Sequence, residues 1–200
     1  MDSRRARRRI GLGSSLGALC AIACNPFADL EKFDLTGEQT VSIPGKNIVS
    51  DPLSVVAVPD IGDSLSQSMS QTFENQGVDK NDVDSFVPKQ VLIEIVAPTP
   101  MDRDGHFMQD LRFFDQITFK VSADGVGEAV VAQSAPGAFA VGVTRYEFPV
   151  DSAQNLKSYV VASAMTLTVD ATASDRPALG CDVHFAAIFT VDVNPGGALQ

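Results

Sequence analysis

Five consecutive residues, Asp102, Arg103, Asp104, Gly105 and His106, form the densest run of chemically competent side chains in the chain. Alternate carboxylates in a tight turn can converge on one hard cation, which makes Asp102 and Asp104 the candidate ligands of a weak calcium site. The twelfth position counted from Asp102 is Phe113, where an EF-hand loop would need a carboxylate. A polar turn between Pro100 and the Leu111 segment is therefore the favoured reading of the same residues. His106 could alternatively work as an acid or base with loop carboxylates, the arrangement of a hydrolase, if the fold brought distant acids to it. A second acidic run, Asp79, Asn81, Asp82 and Asp84, lacks the calcium-loop glycine and reads as a solvated turn leading into a strand near Phe86.

Other chemistries find less support. There is no Gly-x-Ser-x-Gly elbow, and no closely spaced pair of cysteines or histidines suggests zinc. Gly125-Val126-Gly127 is too short to cradle a phosphate. Cys181 shares the phase of an apolar strand face, so it reads as a small core residue. His184 takes the opposite phase and reads as a solvated surface histidine. With no Trp and only Tyr146 and Tyr159, an aromatic platform for carbohydrate is missing. The expectation is a noncatalytic protein without a cofactor.

The elements that position these residues are mostly strands. Cys181, Val183, Phe185, Ala187, Phe189, Val191 and Val193 keep one face over thirteen positions, with Asp182, His184, Thr190 and Asp192 on the other. Met165, Leu167, Val169 and Ala171 alternate in the same way. Shorter alternations run through Val41 and Ile43, Val91 to Ile95, Ile117 to Val121, Ala129 to Ala132, and Phe139, Val141 and Val143. The last of these resumes in opposite phase at Tyr146, Phe148 and Val150, as a bulge or bend near Arg145 would produce. Leu53 to Val58, bounded by prolines, suits a strand or irregular chain.

Leu65, Met69 and Phe73 fall four apart and predict a surface helix over Asp63 to Gln76, capped by Asp63 or Ser64 and ended by Gly77. A helical turn or two is expected over Asn155 to Val161, with Leu156, Tyr159 and Val160 facing inward. About seven strands and one or two short helices predict a mainly β domain over residues 39–200, an antiparallel sandwich or open barrel.

The N-terminus carries a different signal. Arg4, Arg5, Arg7, Arg8 and Arg9 precede an uncharged stretch from Ile10 to Cys24, a positive segment followed by an apolar one too short to span a bilayer. Ser3, Arg4 and Arg5 could open a twin-arginine signal, but the hydrophobic residue expected after the pair is missing, so a plain basic segment is favoured. The run Ala21, Ile22, Ala23, Cys24 resembles the lipobox of bacterial lipoproteins, with Ala21 where the family usually has Leu. The resemblance covers the first two dozen residues. It implies a signal peptide over 1–23, cleavage between Ala23 and Cys24, acyl chains on Cys24 and residence in the cell envelope. It also implies the outer membrane, because Asn25 is not the aspartate that often marks inner-membrane retention. Ordinary signal peptidase could use the same Ala-x-Ala triplet, releasing a soluble chain with an unmodified Cys24.

Residues 24–38 read as a lipidated N-terminus and tether, part of which Phe27, Phe33 and Leu35 could dock onto the domain. From Cys24 onward the chain holds 10 basic and 24 acidic residues, a formal net charge of −14. That excess argues against nucleic acid or an anionic membrane surface as partners. Cys181 then has no disulfide partner unless Cys24 escapes lipidation. Three functions fit. The first is a lipid-anchored envelope protein with a structural or interaction role, partnered by the membrane through its lipid and by other envelope proteins. The second is a carrier enclosing an apolar ligand among residues such as Phe119, Phe139 and Phe185. The third is the His106 hydrolase.

Overall fold

The computed structural model describes residues 32–46, 56–57, 69–75, 78–162 and 165–194. Eight strands run through them: β1 (Lys32–Ile43), β2 (Val56–Ala57), β3 (Val83–Val96), β4 (Phe114–Ala123), β5 (Gly127–Gln133), β6 (Arg145–Phe148), β7 (Met165–Ala173) and β8 (Cys181–Val193). β2 has only two residues, so seven strands carry the fold. Residues 69–75 form helix α1, and α2 spans Lys157–Val161. Two antiparallel sheets result, ordered β1-β8-β3-β6 and β2-β7-β4-β5. The protein is a mainly β sandwich, and neither sheet closes into a barrel.

The thirteen-residue alternation near the C-terminus becomes β8, bounded as the pattern predicts. All seven residues of its apolar phase are buried. β8 lies between β1 and β3 and pairs with each of them at twelve positions. Aromatic rings fill the layer between the sheets. Phe86 on β3 stacks on Phe189 with ring centroids 4.5 Å apart. Phe119 on β4 meets Phe148 on β6 edge to face at 5.2 Å, and Phe114 on β4 meets Phe185 on β8 in the same way at 6.4 Å. Edge-to-face geometry puts the positive ring edge against the negative face and adds to the burial of each ring.

Two sequence expectations change. The strand pattern was expected to begin at Gln39, whereas β1 begins at Lys32 and pairs with β8 from its first residue. Residues 32–38 thus belong to the sheet, and a tether over 24–38 extends seven residues too far. Phe33, Leu35, Gly37, Gln39, Val41 and Ile43 occupy the inward phase. Gly37 and Gln39 interrupt the apolar series, so the period of two was hidden. Phe139, Val141 and Val143 were expected to share a strand face, but residues 134–144 are a loop. Phe139 is buried while Val141 is 77% exposed. Positive φ angles at Gly137 and Gly142 turn the backbone here as it crosses from one sheet to the other.

The helices sit where expected. On α1, Phe73 is buried and meets Phe33 of β1 edge to face at 5.9 Å. Asp63, Ser64, Leu65, Gln76 and Gly77 lie outside the described residues. Leu156, Tyr159 and Val160 are buried under α2. The Asn155 side-chain oxygen accepts the N–H groups of Lys157 at 3.0 Å and Phe86 at 3.2 Å, tying this turn to β3.

Phe119 is fully buried and its neighbour Thr118 lies on the outer face of the same strand. Phe119→Ala is expected to lower unfolding free energy by about 3–5 kcal/mol. Thr118→Ala should stay within about 0.5 kcal/mol of wild type. Urea midpoints of the two variants, at a common slope, check this.

Candidate functional site

The topology gathers four connections at one end of the sandwich: the end of β1, the β3–β4 excursion (97–113), the β5–β6 crossing (134–144) and the β7–β8 turn (174–180). Backbone and side-chain bonds fasten them together. Leu111 N–H donates to Val143 O at 2.8 Å and Lys46 N–H to Pro177 O at 3.0 Å. Leu179 N–H reaches the Gln109 side-chain oxygen at 3.4 Å. Loops held on a rigid strand scaffold are where binding residues concentrate.

Among the described residues three hollows open at this end. One of about 270 Å³ lies among Ser42, Pro44, Pro98, Thr99, Gly180 and Asp182. Asp182 is held there by the Ser42 hydroxyl at 2.5 Å, while its N–H donates to the buried Thr99 Oγ1 at 2.8 Å. A second, of about 440 Å³, is lined by His106, Phe107, Met108, Asp110, Gly142 and Thr144. The third, of about 510 Å³, is lined by Asp115, Gln116, Gln133, Ser134, Pro136 and Thr172.

The Asp102–His106 turn is built from its own backbone. Met101 bridges to Phe107, and Gly105 sits at φ 83°. One Asp102 carboxylate oxygen accepts the N–H groups of Asp104 and His106, both at 2.9 Å. His106 Nδ1 stands 3.5 Å from the other Asp102 oxygen, with the imidazole 79% exposed. The N–H of His106, followed by that of Asp104, holds the Asp102 carboxyl below the ordinary aspartate range. Asp102 thus orders a turn with the groups a cation would otherwise occupy. Among the described residues no three His, Cys, Asp or Glu side chains assemble as a metal-binding group. The acids placed with His106 are Asp102 and Asp110, both within four residues of it. The sequence-distant carboxylate required by the hydrolase reading is not among the residues lining this hollow.

The second acidic run folds as a cap. Asp79 accepts the N–H of Asn81 at 2.8 Å and donates its own N–H to Asp82 at 3.3 Å, closing a short helical turn before β3. His184 projects outward from β8, as its phase predicts, yet its side chain is only 22% exposed. Its Nδ1 lies 3.3 Å from the Thr40 hydroxyl and its Nε2 3.8 Å from Glu38 on the neighbouring strand. Cross-strand partners 144 and 146 positions away explain why a solvated histidine was expected instead. Cys181 is a buried free thiol. Burial pushes its pKa up to about 12, with the nearby Asp182 charge adding to the effect. Ala23 and Cys24 lie outside the described residues.

Sequence reading missed the third hollow. Asp115 is the extra residue of a bulge where β4 pairs with β7, so that Asp115 and Gln116 are both exposed between the buried Phe114 and Ile117. A bulge of this kind re-aims a side chain that alternation would send inward. Two consecutive polar residues breaking an otherwise regular apolar alternation were the available signal. The chain matches no protein-family model and no curated protein sequence.

Three outcomes follow from these placements. Asp102→Ala should remove the hydrogen-exchange protection of the Asp104 and His106 amides. In the wild type that protection should hold as pH falls through the ordinary aspartate pKa and fail only below it, because the folded-state value is lowered. Millimolar calcium should leave the melting temperature unchanged. The Cys181 thiol should resist alkylation at pH 8 in native protein and react fully in urea, since the thiolate is the nucleophile.

Proposed function

We propose that this chain is an exported cell-envelope protein, anchored by acyl chains on Cys24, with a noncatalytic interaction role. The supporting observation is the direction of β1. The strand starts at Lys32 and ends at Ile43, beside the loop-rich end. Seven residues separate Cys24 from Lys32, a span that reaches under about 30 Å even when extended. Twelve strand residues rise about 40 Å. An anchor at Cys24 therefore leaves the three hollows at the end of the domain farther from the membrane. The formal charge of −14 beyond the signal adds repulsion from an anionic bilayer surface.

The anchor works through chain number. A single acyl chain binds marginally and each buried methylene contributes about 0.8 kcal/mol, so several chains on one cysteine hold firmly. The interior favours this reading over the carrier. Phe119, Phe139 and Phe185, the rings expected around an apolar ligand, pack against Phe148, Tyr146 and Phe114.

Intact mass spectrometry of the protein expressed in a Gram-negative host tests the anchor. A chain beginning at Cys24 with an acyl mass increment, lost in Cys24→Ser, is the expected result. An unacylated chain from wild type would overturn it and leave a soluble exported protein.

A further inference from the structure

The groove on the outer face of the second sheet carries an inference independent of the anchor. Its floor is β4 flanked by β7 and β5, and one wall is the start of the 134–144 loop. Ser134 pins that wall: its hydroxyl accepts Ile117 N–H at 3.0 Å and its own N–H donates to Ile117 O at 2.9 Å. Tyr146 supports it from behind, its hydroxyl accepting Ala135 N–H at 3.4 Å. The groove is thus a fixed shape of about 510 Å³, within the size range of small-ligand sites.

Its chemistry is narrow. The bulge delivers the Asp115 carboxylate and the Gln116 carboxamide side by side, Gln133 adds a second carboxamide from β5, and Thr172 a hydroxyl from β7. The Thr172 hydroxyl is spent weakly, on Gln116 O at 3.5 Å. Further along the same face the next cross-strand pair is Thr118 and Asp170, and beyond it Lys120, opposite Thr168, closes the surface by pairing with Asp170 at 2.8 Å and Glu128 at 3.1 Å. Pro136 and Ala135 supply the apolar edge.

A single carboxylate among neutral groups disfavours an anion and is too few for a hard cation, which takes six or more oxygens. Peptide capture by strand addition needs an open edge; β4 is paired on both sides, and the edge strand β5 is bridged to Val150 at Ala132, beside Gln133. Carboxamides that both donate and accept, next to an acceptor-only carboxylate and a hydroxyl, match a ligand with adjacent hydroxyl groups. We propose that this groove binds a neutral saccharide, with Asp115, Gln116, Gln133 and Thr172 reading its hydroxyls. Recognition rests on hydrogen bonds, because among the described residues no aromatic ring lines the groove, and the affinity is accordingly weak. The absence of Trp limits strength of binding and leaves hydrogen-bond selectivity intact.

The test uses the chain from residue 24 with Cys24→Ser, titrated with neutral di- to tetrasaccharides, N-acetylglucosamine and glucose oligomers among them, while the Gln side-chain and backbone amides are followed by NMR. Saturable shifts at Gln116, Gln133 and Thr172, at low-millimolar affinity, are expected. Asp115→Ala and Gln116→Ala should each weaken binding by about tenfold, the worth of one lost hydrogen bond to a charged or well-placed neutral group. Both side chains are exposed, so their removal leaves the core intact, and an unchanged amide spectrum elsewhere checks it. Absence of shifts with every saccharide, shifts confined to another surface, or full affinity in the double variant would each overturn the proposal.

Discussion

β8 is the strand on which the rest of the structure depends. It is hydrogen-bonded on both sides, to β1 and to β3, and its inner phase is buried from Cys181 to Val193. Each further constraint refers back to it. The stacked Phe86 and Phe189 fix the register of β3 against it, and Phe185 meets Phe114 of the opposite sheet. A one-residue slip would send every buried side chain of β8 to the polar face, so the register is specified at each position. Its outer phase is engaged as well, with Asp182 bonded to Ser42 and Thr190 to Asp34. Asp34 in turn pairs with Lys89 of β3 at 2.5 Å, chiefly through a hydrogen bond that holds its carboxyl below the ordinary range. The outer face thus clasps β1, β8 and β3 together with polar contacts of modest individual worth, since all are partly exposed.

What the sequence made legible follows the same physics. β8 and β7 were readable because a half-buried strand writes a period of two in hydrophobicity, and in β8 only Ala186 and Ile188 on the outward phase dilute it. β1 was cut short because Gly37 and Gln39 occupy inward positions, where only the partner strand shows that the period continues. Phe139, Val141 and Val143 read as a strand for the opposite reason. Phe139 and Val143 do reach the core, but they do so from separate turns, and spacing alone does not distinguish a turn at glycine from a pleat. Local alternation is a property of a segment, whereas pairing is a property of two.

The candidate sites divide along the same line. The Asp102 turn was visible as a polar turn because its bonds run between residues two and four apart. The groove at Asp115 joins residues from three strands and a loop, and the environment of His184 joins β8 to β1. Neither has a local signature apart from the doubled polar residues at the bulge. Bulges displace a single residue from the ladder while leaving the apolar face in phase on either side, as Phe114 and Ile117 show. A binding surface made in this way is separable from the core beneath it.

The direction in which the chain leaves β1 has a mechanical consequence. The hydrogen bonds joining β1 to β8 lie across the strands. A pull on the residues before Lys32 along the strand axis therefore loads the twelve paired positions in parallel, as shear. The same force applied sideways would unzip those bonds one after another, at much lower load. A domain tethered through its first strand and gripped at its far loops is stretched along the geometry in which it yields last.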